Sequence, residues 1–228
     1  MSTSTPKFAT GCFNNQEATL SFKDLTVEEF IDALADGTPS PGGGSAAALV
    51  GTLAAALSAM VARLTIGREK FRDAWPDMEK MLRAAEEQKT RLEMLMDQDS
   101  EAYLGFLAAT RLPKSNDEER LARQNTVQKA LVETAKVPLE ILRSMAKLTD
   151  LVRLAVNLGN PVCFADAGVA TQFIRSAAMS AFYNVRTNLK MVRDVDKRKS
   201  LESEAAELLD CVLNDIDALE KVVIQWLE

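Results

Sequence analysis

The sequence of 228 residues contains no histidine. This absence excludes every mechanism that needs an imidazole base, including Ser-His-Asp and Cys-His nucleophiles. It also removes the side chain that most often binds transition metals. We therefore expect no metal site, and the chemistry has to come from carboxylates, amides, hydroxyls or backbone groups.

Cysteine is scarce as well, with only Cys12, Cys163 and Cys211. The number is odd and no two of them share a short spacing, so the pattern fits neither a disulfide framework nor a CxxC metal site. Cysteines of this kind are typical of a reducing compartment, which predicts a cytoplasmic protein.

The chain has no excess of basic residues, because 27 Lys and Arg face 33 Asp and Glu for a net charge of −6. Proteins that bind nucleic acids obtain affinity from clustered cations, so this balance argues against a nucleic-acid partner. At about 150 residues per domain, the length predicts one domain or at most two. The 47% of hydrophobic residues supply a sizeable core.

One segment without charge, residues 42–62, is nearly long enough to cross a membrane. It consists mainly of Ala, Gly and Ser rather than Leu, Ile and Phe, and Arg63 follows at once. Small residues allow neighbouring helices to approach closely. The segment therefore predicts a helix buried in a soluble bundle, and no contact with a membrane is expected. Residues 1–9 also lack the apolar stretch of a signal peptide.

The fold class follows from hydrophobic spacing. No segment alternates β-branched and polar residues between turn signals, and hydrophobic residues instead recur three and four positions apart. We predict an all-α, bundle-like domain of about six helices over residues 24–228, preceded by a flexible tail, residues 1–23. The predicted helices cover residues 27–35, an apolar stretch ending near Gly67, and then about 76–109, 116–157 (with a kink or division at Pro138), 162–193 and 197–226.

Asp99 is the first candidate for a catalytic residue. Its neighbours on one helix face are all apolar or aromatic, which places it within the predicted buried stripe. Asp97 lies beside Glu93 and Glu101 and is predicted to face solvent. A buried carboxylate is costly, and its pKa rises toward the range that suits proton transfer. The alternative is a core Asp that simply hydrogen-bonds to a neighbouring side chain or helix end.

Three further polar residues are predicted on one long helix. Asp166 lies in its first turn, where a carboxylate is also stabilised by the helix dipole. Asn184 and Asn188 stand one turn apart and could bind a heteroaromatic ring or join two helices. If the helix is continuous, Asp166 and Asn184 are roughly 27 Å apart at 1.5 Å per residue. One small site within one chain cannot then contain both.

A glycine-rich turn, Gly42, Gly43, Gly44 and Ser45, precedes the apolar helix. Its backbone N–H groups suit an anion or a planar ligand, although a packing role is the alternative. It is not a P-loop, since no GKS or GKT follows. Basic residues occur at loops nearby in sequence, and solvated surface is the simple interpretation of each: Arg68, Lys70, Arg111 and Lys114.

Taken together, these motifs resemble the cyclodeaminase/cyclohydrolase family of one-carbon folate metabolism. The resemblance is carried, in order, by the sequences TPSPGGGSAAALVGTLAAALSAMVARLT (38–65), DQDSEAY (97–103), RLPK (111–114), VPLE (137–140), GNPVCFADAGVA (159–170) and NVRTNL (184–189).

The resemblance implies an all-helical homodimer that binds a reduced folate, possibly polyglutamylated, with no other cofactor. It implies a catalytic aspartate, which we assign to Asp99. We expect Gly42–Ser45 to shape the pocket, Asn184 and Asn188 to contact the pterin, and Arg68 and Lys70 to meet the glutamate tail. Asp166 is a further candidate for substrate binding. The predicted reaction is hydrolysis of 5,10-methenyltetrahydrofolate; the alternatives are formiminotetrahydrofolate cyclodeamination and a non-catalytic helical binding module.

Overall fold

The computed structural model describes residues 21–228, and it is all-α within that range. The prediction of about six helices is confirmed. Most of the predicted tail, and Cys12 with it, lies outside the described residues. The helices are α1 (Val27–Ala35), α2 (Gly43–Thr65), α3 (Trp75–Thr110), α4 (Asp117–Leu158), α5 (Phe164–Leu189) and α6 (Val195–Leu227).

The helix ends form at the polar residues and glycines that the sequence marks. Thr26 and Glu29 form a capping box at the start of α1, the helix predicted over residues 27–35. Asn116 accepts a hydrogen bond from the Glu119 N–H at the start of α4. Gly67, just beyond α2, has a φ of +81°, a conformation that glycine adopts without strain.

Helix α2 is the centre of the bundle, with contacts to α3, α4 and α5. It is long and apolar enough to span a membrane, but 61% of its most apolar window is buried inside the protein. Small residues allow this close packing: a Cβ on Gly51 would overlap the methyl group of Met145 and press on Leu92. The helix therefore packs as the predicted core helix.

Helices α3 and α5 both run antiparallel to α2. Ser45 at the start of α2 contacts Asp99 late in α3, and Thr65 at its end contacts Asn160 just before α5. Helix α6 packs against α4 and α5. Helix α4 continues through Pro138, so the proline does not divide it. This antiparallel order brings the start of α2 to the late parts of α3 and α5.

Candidate active site

Asp99 lies where the apolar stripe of α3 emerges from the core. Leu95 and Leu92, one and two turns earlier, are fully buried, whereas Tyr103, one turn later, is 38% exposed. The prediction that the whole stripe is buried is therefore wrong for its second half. The reason is that α2 begins beside Asp99, so α2 does not run alongside the part of α3 that follows. The Asp99 side chain is half-buried.

The Asp99 carboxylate is held by the first turn of α2. Its Oδ2 accepts a hydrogen bond from the backbone N–H of Ser45 at 2.9 Å and one from the Ser45 hydroxyl at 3.3 Å. The same hydroxyl is 2.9 Å from the carbonyl of Met96. Within residues 21–228, no hydrogen-bond donor is found for Oδ1. Oδ2 is thus anchored to the first turn of α2, whereas Oδ1 has no such partner among the described residues.

The glycines of the turn make room for this arrangement. Helix α2 begins at Gly43, so that residues predicted as loop form its first turn. A Cβ on Gly44 would overlap the Asp99 carboxyl group, and a Cβ on Gly43 would lie 3.5 Å from Nδ2 of Asn184. Asp99 and Asn184 therefore flank the first turn of α2 from two sides.

Burial raises the pKa of Asp99 above its ordinary value of 3.8. The hydrogen bonds from the Ser45 hydroxyl and N–H favour the charged form and lower the pKa, but they offset the effect of burial only in part. A carboxylate in this environment is a stronger base than an exposed one. It is suited to accept a proton and to stabilise a cation beside it.

Asp97 does not face solvent freely, contrary to the prediction. Its two oxygens accept hydrogen bonds from the Ser21 hydroxyl at 2.5 Å and from the Phe22 N–H at 2.8 Å. Phe22 also packs edge-on against Phe30, with ring centroids 5.9 Å apart. Asp97 therefore attaches the segment before α1 to α3 through both oxygens, whereas only one oxygen of Asp99 has a partner among residues 21–228.

Two serines that the sequence did not single out also lie at this end of the bundle. The hydroxyls of Ser40 and Ser100 are hydrogen-bonded to each other. Ser100 follows Asp99, and Ser40 precedes the glycine turn, so the pair ties the turn to α3. Their proximity depends on the meeting of two segments 60 residues apart, which no local pattern reveals.

The two asparagines of α5 are placed differently from each other. The amide nitrogen of Asn184 donates to the carbonyl of Ser180 on its own helix at 2.8 Å, and the whole amide lies beside Gly43 in the glycine turn. Asn188 donates to the carbonyl of Thr134 on α4 at 2.6 Å. Asn188 therefore joins two helices, and only Asn184 flanks the first turn of α2.

Asp166, Arg68 and Lys70 lie at the opposite end of the molecule. Helix α5 is continuous from Phe164 to Leu189, so the predicted separation of Asp166 from Asn184 holds. Asp166 and Arg68 lie near Cys163. The pKa of the Cys163 thiol is raised, mainly by burial and also by the charge of Asp166, and the charge of Arg68 opposes this shift. Arg68 and Lys70 are exposed, and the Lys70 ammonium lies 5.6 Å from the centre of the Phe71 ring. Within one chain these residues do not join Asp99.

Comparisons with known proteins give the family. A family model described as formiminotransferase-cyclodeaminase matches residues 26–207. A methenyltetrahydrofolate cyclohydrolase from Methylorubrum extorquens is 37% identical over 186 residues, which cover 80% of this chain and 89% of that protein. A formimidoyltransferase-cyclodeaminase from Rattus norvegicus is 32% identical over 205 residues, which cover 87% of this chain and 38% of the rat protein.

A solved structure agrees with these sequence relatives. The crystal structure of formiminotetrahydrofolate cyclodeaminase from Thermotoga maritima matches with a TM-score of 0.82 and 29% identity. The match covers 90% of this chain and 99% of that one. The family model covers well over half of the sequence, and the alignment with the cyclohydrolase covers 80% of it. The chain therefore belongs to the formiminotransferase-cyclodeaminase family.

Proposed function

We propose that this protein hydrolyses 5,10-methenyltetrahydrofolate to 10-formyltetrahydrofolate, with Asp99 as the general base. The observation that carries the proposal is the Asp99 carboxylate, anchored through one oxygen by Ser45, half-buried, and raised in pKa. The relative from Methylorubrum extorquens, named for this activity and 37% identical, supports the choice of reaction.

The reaction needs one group that stabilises a positive charge and also accepts and returns one proton. The methenyl bridge between N5 and N10 carries a positive charge, which the Asp99 carboxylate stabilises before attack. Water then adds to the bridging carbon while Asp99 takes one of its protons, giving a neutral tetrahedral carbon. Asp99 returns this proton to N5 as the N5–C bond breaks. The remaining hydroxyl proton is released to solvent as the formyl C=O forms on N10.

The other residues of the turn bind and orient the substrate in this proposal. Gly43 and Gly44 allow a planar ring to approach the start of α2, and Asn184 offers an amide to the pterin. Asn188 supports this region by joining α5 to α4. The proposed site needs no cofactor besides the folate itself and no metal ion. A cytoplasmic location suits Cys163 and Cys211, which form no disulfide within the described residues.

Cyclodeamination is the second candidate, favoured by the likeness to the Thermotoga maritima protein of that name. There N10 attacks the carbon of the protonated formimino group (=NH2⁺) and Asp99 accepts the N10 proton. Asp99 then returns this proton to the resulting –NH2 group, which leaves as ammonia as the methenyl cation forms. The methenyl cation is the product of that reaction and the substrate of the hydrolysis. The same carboxylate therefore serves both reactions, and substrate assays have to separate them.

The direct test follows the near-ultraviolet absorbance of 5,10-methenyltetrahydrofolate. We expect the purified protein to speed its loss far beyond the rate in buffer, with 10-formyltetrahydrofolate as the product. A parallel reaction with 5-formiminotetrahydrofolate measures ammonia. Ammonia release without hydrolysis would favour the cyclodeaminase, and neither activity would favour a non-catalytic binding module.

The pH profile provides a test of the base. Asp99 must be ionised to accept a proton, so activity is expected to fall on the acid side through the pKa of Asp99, above its ordinary value of 3.8. Ser45→Ala removes a hydrogen bond that lowers this pKa. The acid limb of kcat/KM should therefore move to higher pH in the variant. An acid limb unchanged by Ser45→Ala would contradict Asp99 as the titrating group.

The proposed homodimer uses the outer face of α2. This face has no charge from residue 43 to 62, and it carries partly exposed apolar side chains between α3 and α5. Leu53 is 44% exposed and Leu64 is 39% exposed. An exposed apolar helix face of this length is typical of an interface between subunits. If the α2 helices of two subunits pair antiparallel, Asp166 and Arg68 of the partner subunit approach the end of the bundle that contains Asp99. The dimer would then bring together residues that lie at opposite ends of one chain.

Leu53→Glu places a charge in the middle of this face and is expected to convert the dimer to a monomer. Sedimentation equilibrium should show the mass falling by half. Leu121→Glu, at a side chain that is 60% exposed on α4, serves as the control and should leave the mass unchanged. A wild-type protein that sediments as a monomer would overturn the proposed dimer.

A further inference from the structure

The aspartate and the first turn of α2 are coupled through a helix cap. Helix α2 begins at Gly43, and its N-cap residue, Gly42, makes no side-chain hydrogen bond to a free N–H group. The third residue of a helix usually receives such a bond from its N-cap side chain. Here the N–H of Ser45, the third residue of α2, donates to Oδ2 of Asp99 instead. Any movement of this turn relative to α3 therefore also moves the hydrogen bond that holds Asp99.

The chain that leads into this turn gives it little support. Residues 34–39, from the end of α1 to the turn, are all exposed. Ser40 is the first half-buried residue after them, and its hydroxyl is hydrogen-bonded to that of Ser100. Within residues 21–228, no other hydrogen bond joins residues 34–44 to α3. The contact between Ser40 and Ser100 is thus where the exposed chain is first attached to the helix that carries Asp99.

The Ser100 hydroxyl binds across the bundle rather than within its own helix. Other buried hydroxyls of the bundle bind the carbonyl four residues earlier in the same helix. They include those of Ser58, Thr149 and Thr171. The carbonyl four residues before Ser100 is that of Met96, and it accepts a hydrogen bond from the Ser45 hydroxyl at 2.9 Å. Ser40 and Ser45 therefore both attach the start of α2 to one turn of α3, residues 96–100.

The prolines on either side of Ser40 limit how far this contact can move. Pro39 and Pro41 have fixed φ angles, and each restricts the residue before it. Pro41 is buried, and the Thr38 hydroxyl donates to the Ser40 carbonyl at 3.0 Å. The backbone at Ser40 is therefore held in a defined conformation three residues before the start of α2.

We propose that the Ser40 and Ser100 hydroxyls are positioning groups for Asp99. Their hydrogen bond fixes the start of α2 against residues 96–100, so that the Ser45 N–H holds the carboxylate in its working position. The inference rests on the proposed function and adds to it two residues that act through Asp99 rather than on the reacting atoms.

Ser40→Ala and Ser100→Ala are each expected to lower kcat by about ten-fold with little change in KM, which is less than the loss of about 10²-fold for a reacting group displaced by about 1 Å. The acid limb of kcat/KM should move to higher pH. The reason is that the Ser45 hydrogen bonds lower the pKa of Asp99 against the effect of burial, and a looser turn weakens them. A merely structural role would lower the unfolding temperature without moving this limb.

The experiment measures kcat and KM across pH for wild type, both single variants and Ser40→Ala/Ser100→Ala. Because all three variants remove the same hydrogen bond, the double variant should lose no more kcat than either single variant. Ser40→Thr keeps the hydroxyl and should retain the wild-type kcat and acid limb. Ser58→Ala is the matched control, since it removes a buried hydroxyl that binds the Ala54 carbonyl of its own helix. This control should change neither quantity.

The outcomes separate this inference from the proposed function. If wild type is active, an unchanged kcat and acid limb in the single variants, or losses that multiply in the double variant, overturn the positioning role and leave the function intact. If wild type does not hydrolyse methenyltetrahydrofolate, the proposed function fails. The NMR shift of the Asp99 carboxyl carbon then tests the positioning alone, because it reports the pKa of Asp99 without substrate. This pKa should be higher in both single variants, and an unchanged value overturns the positioning role.

Discussion

Replacing Asp99 by Asn is expected to lower kcat for methenyltetrahydrofolate hydrolysis by about 10³-fold, the typical contribution of a positioned acid–base group. The amide is nearly the same size as the carboxyl group, and its oxygen can still accept the hydrogen bond from the Ser45 N–H. It cannot take a proton from water or neutralise the methenyl cation. Loss of methenyl absorbance under saturating substrate measures the effect.

The same substitution should not destabilise the fold. Burial raises the pKa of Asp99, so the folded state holds the Asp99 proton more tightly than the unfolded state does. The stability contributed by the protonated group is fully present below pH 3.8, the ordinary value, and is lost as pH rises through the folded pKa. At neutral pH the ionised carboxylate is therefore a cost. Asp99→Asn should unfold at the same temperature as wild type or higher.

Asp97→Asn is the matched control, two residues away on the same helix. The Asp97 carboxylate holds Ser21 and Phe22 rather than facing the glycine turn. Its amide variant should retain activity within about two-fold, because it removes the same charge from the same helix without touching the reacting atoms. An Asp99→Asn protein that keeps more than a tenth of wild-type kcat would remove Asp99 from the mechanism.

Gly44→Ala is expected to lower kcat by about 10²-fold or more while the protein remains folded. The new methyl group would overlap the Asp99 carboxyl group, whose short side chain can rotate away. Rotation breaks the hydrogen bond with the Ser45 N–H and moves the base from its working position. Misplacement of a reacting group by about 1 Å is enough for a loss of this size.

Thermal unfolding separates this effect from simple misfolding. Ala favours a helix over Gly by about 1 kcal/mol, which offsets part of the steric cost at Gly44. Gly105→Ala is the control, since a Cβ there meets nothing within 4 Å, and it should raise stability without changing kcat. Gly43→Ala should raise KM a few-fold, because the new methyl group would occupy space through which the planar ring is proposed to approach. The fold should not change, since this Cβ would lie at an ordinary contact distance of 3.5 Å from Asn184. Full activity in Gly44→Ala would show that Asp99 need not occupy this position.

Most of the fold could be predicted because its signals are local. Thr26 and Glu29 cap α1 from three residues apart, and Gly67 ends α2 through its own backbone conformation. The sequence predicts a kink or a division of the helix at Pro138, and the structure shows no division, since α4 continues through this residue. Pro138 is buried within the bundle, and tertiary packing outweighs the local preference against proline in a helix.

The site could be predicted only in part. Asp99 stands out because a lone acid interrupts an apolar helix face, and the glycine turn stands out by composition. The sequence could not distinguish Asn184, beside the turn, from Asn188, which joins α5 to α4. It also assigned Asp97 to solvent, because the contacts of Asp97 come from residues more than 70 positions away.

By itself, the sequence determined the helical class, most of the helix ends and the lack of imidazole chemistry, and it singled out Asp99 as the candidate acid. These properties depend on residue type and on spacings of a few residues, where helix geometry fixes which side chains meet. Only the tertiary structure decided which polar groups share one end of the bundle. Because α3 and α5 both run antiparallel to α2, Asp99 and Asn184 meet Gly43–Ser45, while Asp166 and Arg68 are carried to the far end.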